Sequence, residues 1–394
     1  MRILFVHNAY ARPSGEEEAI RRLSTLLESH GNSVELFARS SSDIGDSLPG
    51  KLVAFGAGIH SFSARAEFSR VLARFRPDIV QVQNLYPLIS PSILSAAWEH
   101  GVPVVMRCPN YRLTCPTGLH SRDGAVCALC SGGQEHWCVL KNCAGSLAKS
   151  AGYAARSWSA RVSGVFDKYV SQFVVLSEFQ RRWFIRRNIP AGRISILPNM
   201  PASVTPAAAA ESDGGYVAYV GRLSHEKGID ALFRAAKLLP HIPFRVAGTG
   251  PITIRETLPN VHIHGHLSGL DLYNLYAGMQ MLICPSLCFE GFPGVIGEAM
   301  RYSKPVICSR IGGLPEIVQH EVTGLLVEPG NENQLASAVQ TLWDSPTLRQ
   351  QYGNAGRDRL ISEFNPCGLY STLMDIYERA RQMRLAAGTA AAFC

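Results

Sequence analysis

The sequence predicts an α/β protein made of two doubly wound parallel-sheet domains joined by a linker. Three observations carry that expectation. At 394 residues the chain is longer than one hydrophobic core ordinarily organises. Short apolar runs alternate with amphipathic stretches through both halves, as parallel strands alternate with crossover helices. Between the halves, Pro201-Ala-Ser-Val-Thr-Pro-Ala-Ala-Ala-Ala-Glu-Ser-Asp-Gly-Gly215 has no apolar periodicity and is rich in Pro, Ala and Gly.

In the first half, strands are expected at Ile3–His7, Val34–Ala38, Ile79–Gln83, Val102–Met106 and Phe173–Leu176. Helices are expected at Glu16–His30, Ala64–Phe75, Ser90–His100 and Glu178–Asn188. A second alternating series runs from Tyr216 to about Trp343, and Leu369–Arg384 reads as a closing helix before an alanine-rich tail. The expected organisation is therefore a domain over 1–200, a linker over 201–215, a second domain over 216–365, and a terminal helix and tail over 366–394. Two such domains leave a cleft between them, a common place for a ligand.

Two segments of the second half carry chemistry. The first is Glu290-Gly-Phe-Pro-Gly-Val-Ile-Gly-Glu298, which follows the apolar run Met279 to Pro285. Glu290 is expected at a strand's carboxyl end, Gly291 to Gly294 in a loop, and Glu298 one turn into the next helix. Open α/β sheets bind ligands at that end, and a helix N-terminus offers backbone N–H groups to a phosphate. One glutamate could then reach sugar hydroxyls while the other meets a ribose. The second segment is Val217-Ala-Tyr-Val-Gly-Arg-Leu-Ser-His-Glu-Lys-Gly228, a strand and turn carrying Arg222 and Lys227. Two cations there suit a diphosphate, Arg as a fork and Lys as a point charge.

Together these segments resemble the donor-binding domain of retaining, nucleotide-sugar-dependent glycosyltransferases of family 4, the group 1 glycosyltransferases with the GT-B fold. The resemblance continues through Val246-Ala-Gly-Thr-Gly-Pro251, Lys304-Pro-Val-Ile307, Gly312-Gly-Leu-Pro-Glu-Ile317 and Thr323-Gly-Leu-Leu-Val327. More loosely, it includes the loop Asn8 to Glu18 with Gly15, Asn84-Leu-Tyr-Pro-Leu-Ile-Ser-Pro91, Leu176-Ser-Glu-Phe179 and Pro198-Asn199. It implies two Rossmann-like domains facing across a cleft, the first binding acceptor and the second donor, with the last helix crossing back to the first domain. It implies a hexosyltransferase in which Arg222, Lys227 and the amides of Gly294 and Val295 hold the leaving diphosphate. Glu290 would orient the sugar, Glu298 would take the ribose hydroxyls, and Gly15 would let backbone approach substrate. No metal is required for that chemistry. A surface-polysaccharide pathway with a glycan or lipid-linked acceptor is the expected setting. The same features would also fit a nucleotide-sugar epimerase of this fold or a non-catalytic sugar-nucleotide-binding protein. Sugar release onto an acceptor separates the first, and binding without turnover the second.

The chain departs from its relatives where they usually carry histidines. Gln81 and Gln83 stand in the third strand, and Pro109 precedes Asn110-Tyr-Arg-Leu113. Proline cannot relay a proton.

Five of the 11 cysteines fall at Cys115, Cys127, Cys130, Cys138 and Cys143. In a reducing compartment such density favours metal over disulfides. Cys115, Cys127, Cys130 and Cys143 are the candidate structural zinc ligands, with Cys138, His120 and His136 as alternatives. They would pin an otherwise irregular loop over 115–143. Cys284, Cys288 and Cys308 read as core or pocket-edge residues.

Charge is unevenly spread. Residues 1–200 carry 23 Lys and Arg against 14 Asp and Glu, a surplus of +9, while the remainder carries 15 against 17. This predicts an anionic partner for the first half. An anionic membrane leaflet or lipid-linked diphosphate is favoured, since no nucleic-acid-binding pattern is present. The candidate contacts are Arg65, Arg70, Arg74 and Arg76, and Arg181, Arg182, Arg186, Arg187 and Arg193 around Trp183 and Phe184. No apolar run reaches the ~18 residues a membrane span needs, and Met1 to Val6 is too short for a signal sequence. A cytoplasmic protein, peripheral on the inner leaflet, is the expectation. Asp-x-Asp, Walker and His-Glu-x-x-His motifs are absent, and Thr253 breaks the dinucleotide fingerprint begun at Gly248-Thr-Gly250.

Overall fold

The computed structural model describes residues 1–10, 15–44, 55–200, 214–252 and 258–392, the side chains of 388–392 excepted. The chain divides into two compact units. One comprises Met1–Leu119, Ala128–Pro198 and the chain from Pro366 onward, and the other His120–Cys127 and Asn199–Asn365. The expected linker lies outside the described residues except for Gly214 and Gly215, as do residues 11–14 of the loop preceding Gly15.

The first unit holds a sheet of β1 (Arg2–Ala9), β2 (Ser33–Ser40), β3 (Ile79–Asn84), β4 (Val104–Arg107), β7 (Gln172–Val175) and β8 (Ile194–Ile196). The short hairpin β5 (Ser121–Arg122) and β6 (Ala125–Val126) intervenes in sequence and groups with the other unit. The sheet is parallel throughout, in the order β2-β1-β3-β4-β7-β8. Its central strands are buried along their whole length, as a sheet covered by helices on both faces requires. All five expected strands and all four expected helices form, with ends shifted by a few residues. The helices Leu147–Ser163 and Val165–Tyr169 were not anticipated. The first buries mainly small residues, Ser150, Ala154 and Ala160, so its core face leaves a weak apolar signature. The 115–143 segment is not wholly irregular, since it contains the hairpin and a helix at His136–Leu140.

The second sheet joins β9 (Val217–Val220), β10 (Phe244–Ala247), β11 (Val261–Gly265), β12 (Met281–Cys284), β13 (Val306–Ser309) and β14 (Gly324–Val327). It too is parallel, in the order β11-β10-β9-β12-β13-β14. Val217, Val246, Met281 and Ile307 are fully covered, with Leu232, Ala235 and Ala236 of the helix Ile229–Leu238 packed among them. Each large aliphatic side chain so buried contributes about 1.5–3 kcal/mol.

The order of this sheet places the candidate site. After β9 the chain builds outward through β10 and β11. It then returns to β9's other side as β12, with Met281 opposite Val217 and Leu282 opposite Ala218. The connections leaving the carboxyl ends of β9 and β12 therefore flank the strand-order reversal, where such sheets have a crevice.

The helix Pro366–Ala392 packs within the first unit. Tyr370 stacks on His30 at 3.9 Å and accepts a hydrogen bond from Asn32 Nδ2 at 3.1 Å. Tyr377 hydrogen-bonds Gln81, and Arg384 lies over Trp98 at 3.8 Å. Among the described residues no helix is long and apolar enough to cross a membrane.

Candidate functional site

The turn after β9 and the loop after β12 are joined through backbone. Leu287 N–H donates to the Glu226 carbonyl at 2.8 Å. Gly228 sits at φ +75°, where a Cβ would stand 1.8 Å from the Pro285 carbonyl oxygen. Only glycine permits both the left-handed conformation and that approach.

This contact brings Lys227 to Glu290. Lys227 Nζ donates to Glu290 Oε1 at 2.5 Å, and Ser286 Oγ donates to the same oxygen at 2.7 Å. Burial disfavours the Lys227 ammonium, but the Glu290 carboxylate beside it outweighs burial and holds its pKa above the usual lysine range. The backbone of Glu290 is fixed as well, its carbonyl accepting from Gly313 N–H at 2.7 Å. Gly312, at φ +61°, passes so close that a Cβ would lie 2.6 Å from that carbonyl oxygen. Arg222 pairs with Glu226, whose Oε1 also accepts from Ser224 Oγ at 2.8 Å. Each cation is thus balanced by a neighbouring acid. Arg222 is about half exposed, whereas Lys227 is largely covered.

The helix Gly294–Arg301 begins four residues beyond Glu290, with Pro293 at its cap and no side chain capping it. Gly294 is exposed and Val295 half-buried, so the first turn combines open backbone amides with the local positive end of the helix dipole. Glu298 lies one turn in and is half-buried. Arg222, Lys227, Glu290, Gly294, Val295 and Glu298 therefore share the two connections that flank the switch point. Sequence reasoning passed over Ser286 and assigned no site role to Gly312 or to Asn199, whose Nδ2 donates to the Phe292 carbonyl at 2.6 Å. The side-chain oxygen of Ser286 four residues before Glu290 was the available signal. Burial pushes the thiols of Cys284 and Cys288 up to about 12, which fits their reading as core or pocket-edge residues.

Gly15 opens the helix Gly15–Ser29 in the first unit, and among the described residues a Cβ there would meet nothing within 4 Å. Gln81 is spent on Tyr377, while Gln83 and Pro109 line a cavity of about 370 Å³ in the first unit. The turn at Pro109 is held by Gln180, whose Nε2 donates to the carbonyls of Cys108 at 2.8 Å and Asn110 at 3.2 Å.

Among the described residues no three His, Cys, Asp or Glu side chains gather as a metal site. Cys115 Sγ meets Thr117 Oγ1 at 3.3 Å, and Cys127 groups with the second unit while Cys115, Cys130 and Cys143 group with the first. Cys138 approaches Cys143 and Cys115 instead. The one close Cys-x-x-Cys spacing held no information about where the hairpin carries Cys127. Of the arginines on the helix Phe62–Phe75, Arg65 pairs with Glu99 and Arg74 with Glu35.

Comparison with known proteins follows the same division. A family model described as Glycosyl transferase 4-like domain matches residues 14–200, and one described as Glycosyl transferases group 1 matches residues 206–359. Alpha-maltose-1-phosphate synthase of Mycolicibacterium smegmatis is 32% identical over 193 residues, covering 41% of this chain and 47% of its own. Glycogen synthase of Mycobacterium tuberculosis is 31% identical over 176 residues, 42% of each. The chain spans about half the length of the curated relatives it matches. Among solved structures, the sucrose-phosphate synthase of Thermosynechococcus elongatus superposes with a TM-score of 0.68 at 18% identity, over 96% of this chain and 98% of that one. HepE of Anabaena, solved with UDP-glucose, gives 0.66 at 18% identity, over 95% and 98%. These likenesses establish the GT-B fold, and with the two family models they show that the chain belongs to the group 1 glycosyltransferases, the family 4 type.

Proposed function

We propose that this chain transfers a hexose from a nucleotide-diphosphate sugar to a glycan or lipid-linked acceptor, with retention at the anomeric carbon. One observation carries the reading. Lys227 and Arg222 lie on one of the two connections flanking the switch point, and Glu290 and an uncapped helix N-terminus lie on the other. As the bond from the anomeric carbon to the diphosphate breaks, charge grows on the leaving oxygen. Lys227, Arg222 and the Gly294 and Val295 amides meet that charge, so their contribution grows toward the transition state. Glu290, fixed by Ser286 and Gly313, orients the sugar hydroxyls, and Glu298 takes the ribose. The acceptor oxygen bonds to the anomeric carbon on the face the diphosphate leaves, and the diphosphate takes the acceptor's proton. No protein base is then needed, in keeping with proline at position 109.

The setting we propose is polysaccharide synthesis by a cytoplasmic protein peripheral on the inner leaflet. The membrane contact we propose is the region around Trp183. There Arg182 and Arg186 are exposed, Arg181 pairs with Glu178, and Arg187 lies over the Trp183 ring at 4.3 Å. Binding to vesicles should rise with anionic lipid and fall with salt, and indifference to lipid charge would remove the membrane from the proposal. The chemistry is tested by incubation with a panel of nucleotide sugars, beginning with UDP-glucose. Slow release of the nucleotide diphosphate is expected, and an α-linked product from an α-linked donor once acceptor is supplied. If no nucleotide sugar binds, the proposal fails.

A further inference from the structure

The cavity of about 370 Å³ in the first unit is of a size that small-molecule sites occupy. Its wall is unusually cationic. Arg107, Arg112, Arg156, Arg161 and Arg187 line it, against two acids, Asp167 and Glu135, the latter taken by Arg161 at 2.7 Å. Arg107 and Arg156 retain 5% and 9% of their surface.

Arg156 is the telling residue. It rises from the helix Leu147–Ser163 and donates to the Pro116 carbonyl at 3.0 Å. Its guanidinium lies between the rings of Tyr86, at 4.0 Å, and Tyr153, at 4.8 Å. A guanidinium has five N–H donors and does not deprotonate. One carbonyl and two ring faces leave most of those donors and the whole charge without an acid partner among the described residues. Arg112 is close enough to disfavour it further, and burial adds to that cost. Arg112 donates to Asn84 Oδ1 at 2.8 Å and to Tyr10 Oη at 3.2 Å. The nearby acid is Glu16, which accepts from Tyr10 Oη and whose carboxyl burial pushes toward the neutral form. Two further lining donors, Gln83 Nε2 and Arg187 Nε, are buried without an acceptor among the described residues. Positive charge outnumbers negative on this wall, five arginines against Glu135 and Asp167. Buried charge is costly unless it is paired, so the wall is built to receive an oxyanion.

We propose that this cavity binds the acceptor through an anionic group, a phosphate or a carboxylate, held by Arg112 and Arg156. The inference rests on the glycosyltransferase reading for the word acceptor, but the oxyanion site stands on its own geometry. The planar fork of each guanidinium suits either group. A preference for phosphate marks a sugar-phosphate or phosphate-linked acceptor, and a preference for carboxylate a uronic acid unit.

The test uses the full chain with saturating UDP, so that the donor side is filled, and titrates glucose 6-phosphate, glucuronate and glucose by calorimetry. At least one of the two anionic sugars should bind tenfold or more tightly than glucose. Arg156→Gln should remove that preference while leaving UDP affinity unchanged, and Arg112→Lys, which keeps the charge and loses the fork, should reduce it severalfold. If Arg156→Gln does not fold, Arg156→Lys replaces it with the same expectation as Arg112→Lys. Equal affinity for charged and neutral sugars in the wild type overturns the proposal. So does an anionic preference that survives both substitutions. Failure to bind UDP at all would instead count against the donor site, leaving the comparison of sugars to stand separately.

Discussion

The two cationic sites of this molecule are built in opposite ways. In the second unit the charges are balanced locally, Arg222 with Glu226 four residues away and Lys227 with Glu290 across one loop contact. In the first unit, Arg107 ends a strand, Arg112 follows in the next turn, and Arg156 arrives from a helix beyond the cysteine-rich segment. There Arg112 donates to an amide oxygen, and Arg156 to a carbonyl while lying over a tyrosine ring. A locally neutralised cluster is affordable without ligand and can exchange an acid for a diphosphate. A wall with unmatched charge is stabilised most by the anion it lacks. The difference suits a donor whose charge is released each turnover and an acceptor whose charge is retained.

The largest effect that would test the balanced site is loss of its covered cation. Lys227→Ala removes a preorganised donor and leaves Glu290 beside no ammonium. We expect kcat/KM to fall by about 10²–10³. Arg222 is half exposed and solvent-screened, so Arg222→Ala should cost less than about tenfold. Both are read in the nucleotide diphosphate release assay. Equal losses would show that exposure does not rank the two cations, and wild-type rates in both would remove them from the site.

A second contrast concerns glycines. Gly228→Ala forces a left-handed conformation costing about 1–2 kcal/mol and drives Cβ to 1.8 Å from the Pro285 oxygen. At roughly 2–4 °C of Tm per kcal/mol for a unit of this size, a drop of about 4 °C or more is expected. Gly15→Ala, with nothing among the described residues within 4 Å of its Cβ, should leave Tm unchanged, so any loss of activity there would report substrate approach alone. A stable Gly228→Ala protein would mean the two loops are not held together as described.

These sites also differ in how far they could be read beforehand. Strand runs such as Met281–Cys284 are short, apolar and followed by Gly and Pro, so both sheets were legible from periodicity. The placement of the candidate residues in the second unit was legible because Gly221 to Gly228 and Glu290 to Glu298 are contiguous stretches whose spacing reflects one strand end and one helix start. What could not be read was long-range. No local pattern places Arg156 against Tyr86, some 70 residues away in sequence, or Gln180 under the turn at Pro109.

The cysteine segment offers a separate test. If Cys115, Cys127, Cys130 and Cys143 hold a structural zinc, the purified protein should carry close to one zinc per chain and a chelator should lower Tm. No zinc in protein purified without chelator would reject the site. Among the cysteines of the described residues, Cys367 is exposed and should alkylate first in the folded protein. Burial holds Cys284, Cys288 and Cys138 near 12, so these should react only on unfolding.

The smallest expected effect is on pH dependence, and it separates the pair Lys227–Glu290 from a cation that is merely nearby. The folded-state pKa of Lys227 is raised above its unfolded value of about 10.4. The stability it contributes is therefore fully present below that unfolded value and is lost as pH rises through the higher folded one. Between pH 6 and 9 the difference in unfolding free energy between wild type and Lys227→Met should be flat. Above about pH 10.4 it should shrink, because the unfolded lysine loses its proton while the folded one, held by Glu290, still keeps it. The side chain keeps 29% of its surface, so solvent screens the pair and the change will be modest. Urea unfolding at pH 7, 9, 10.5 and 11 reads it. A difference that stays constant to pH 11 would mean Glu290 holds the lysine no better than water does, and the balanced site would lose the interaction that distinguishes it from the first unit's unmatched wall.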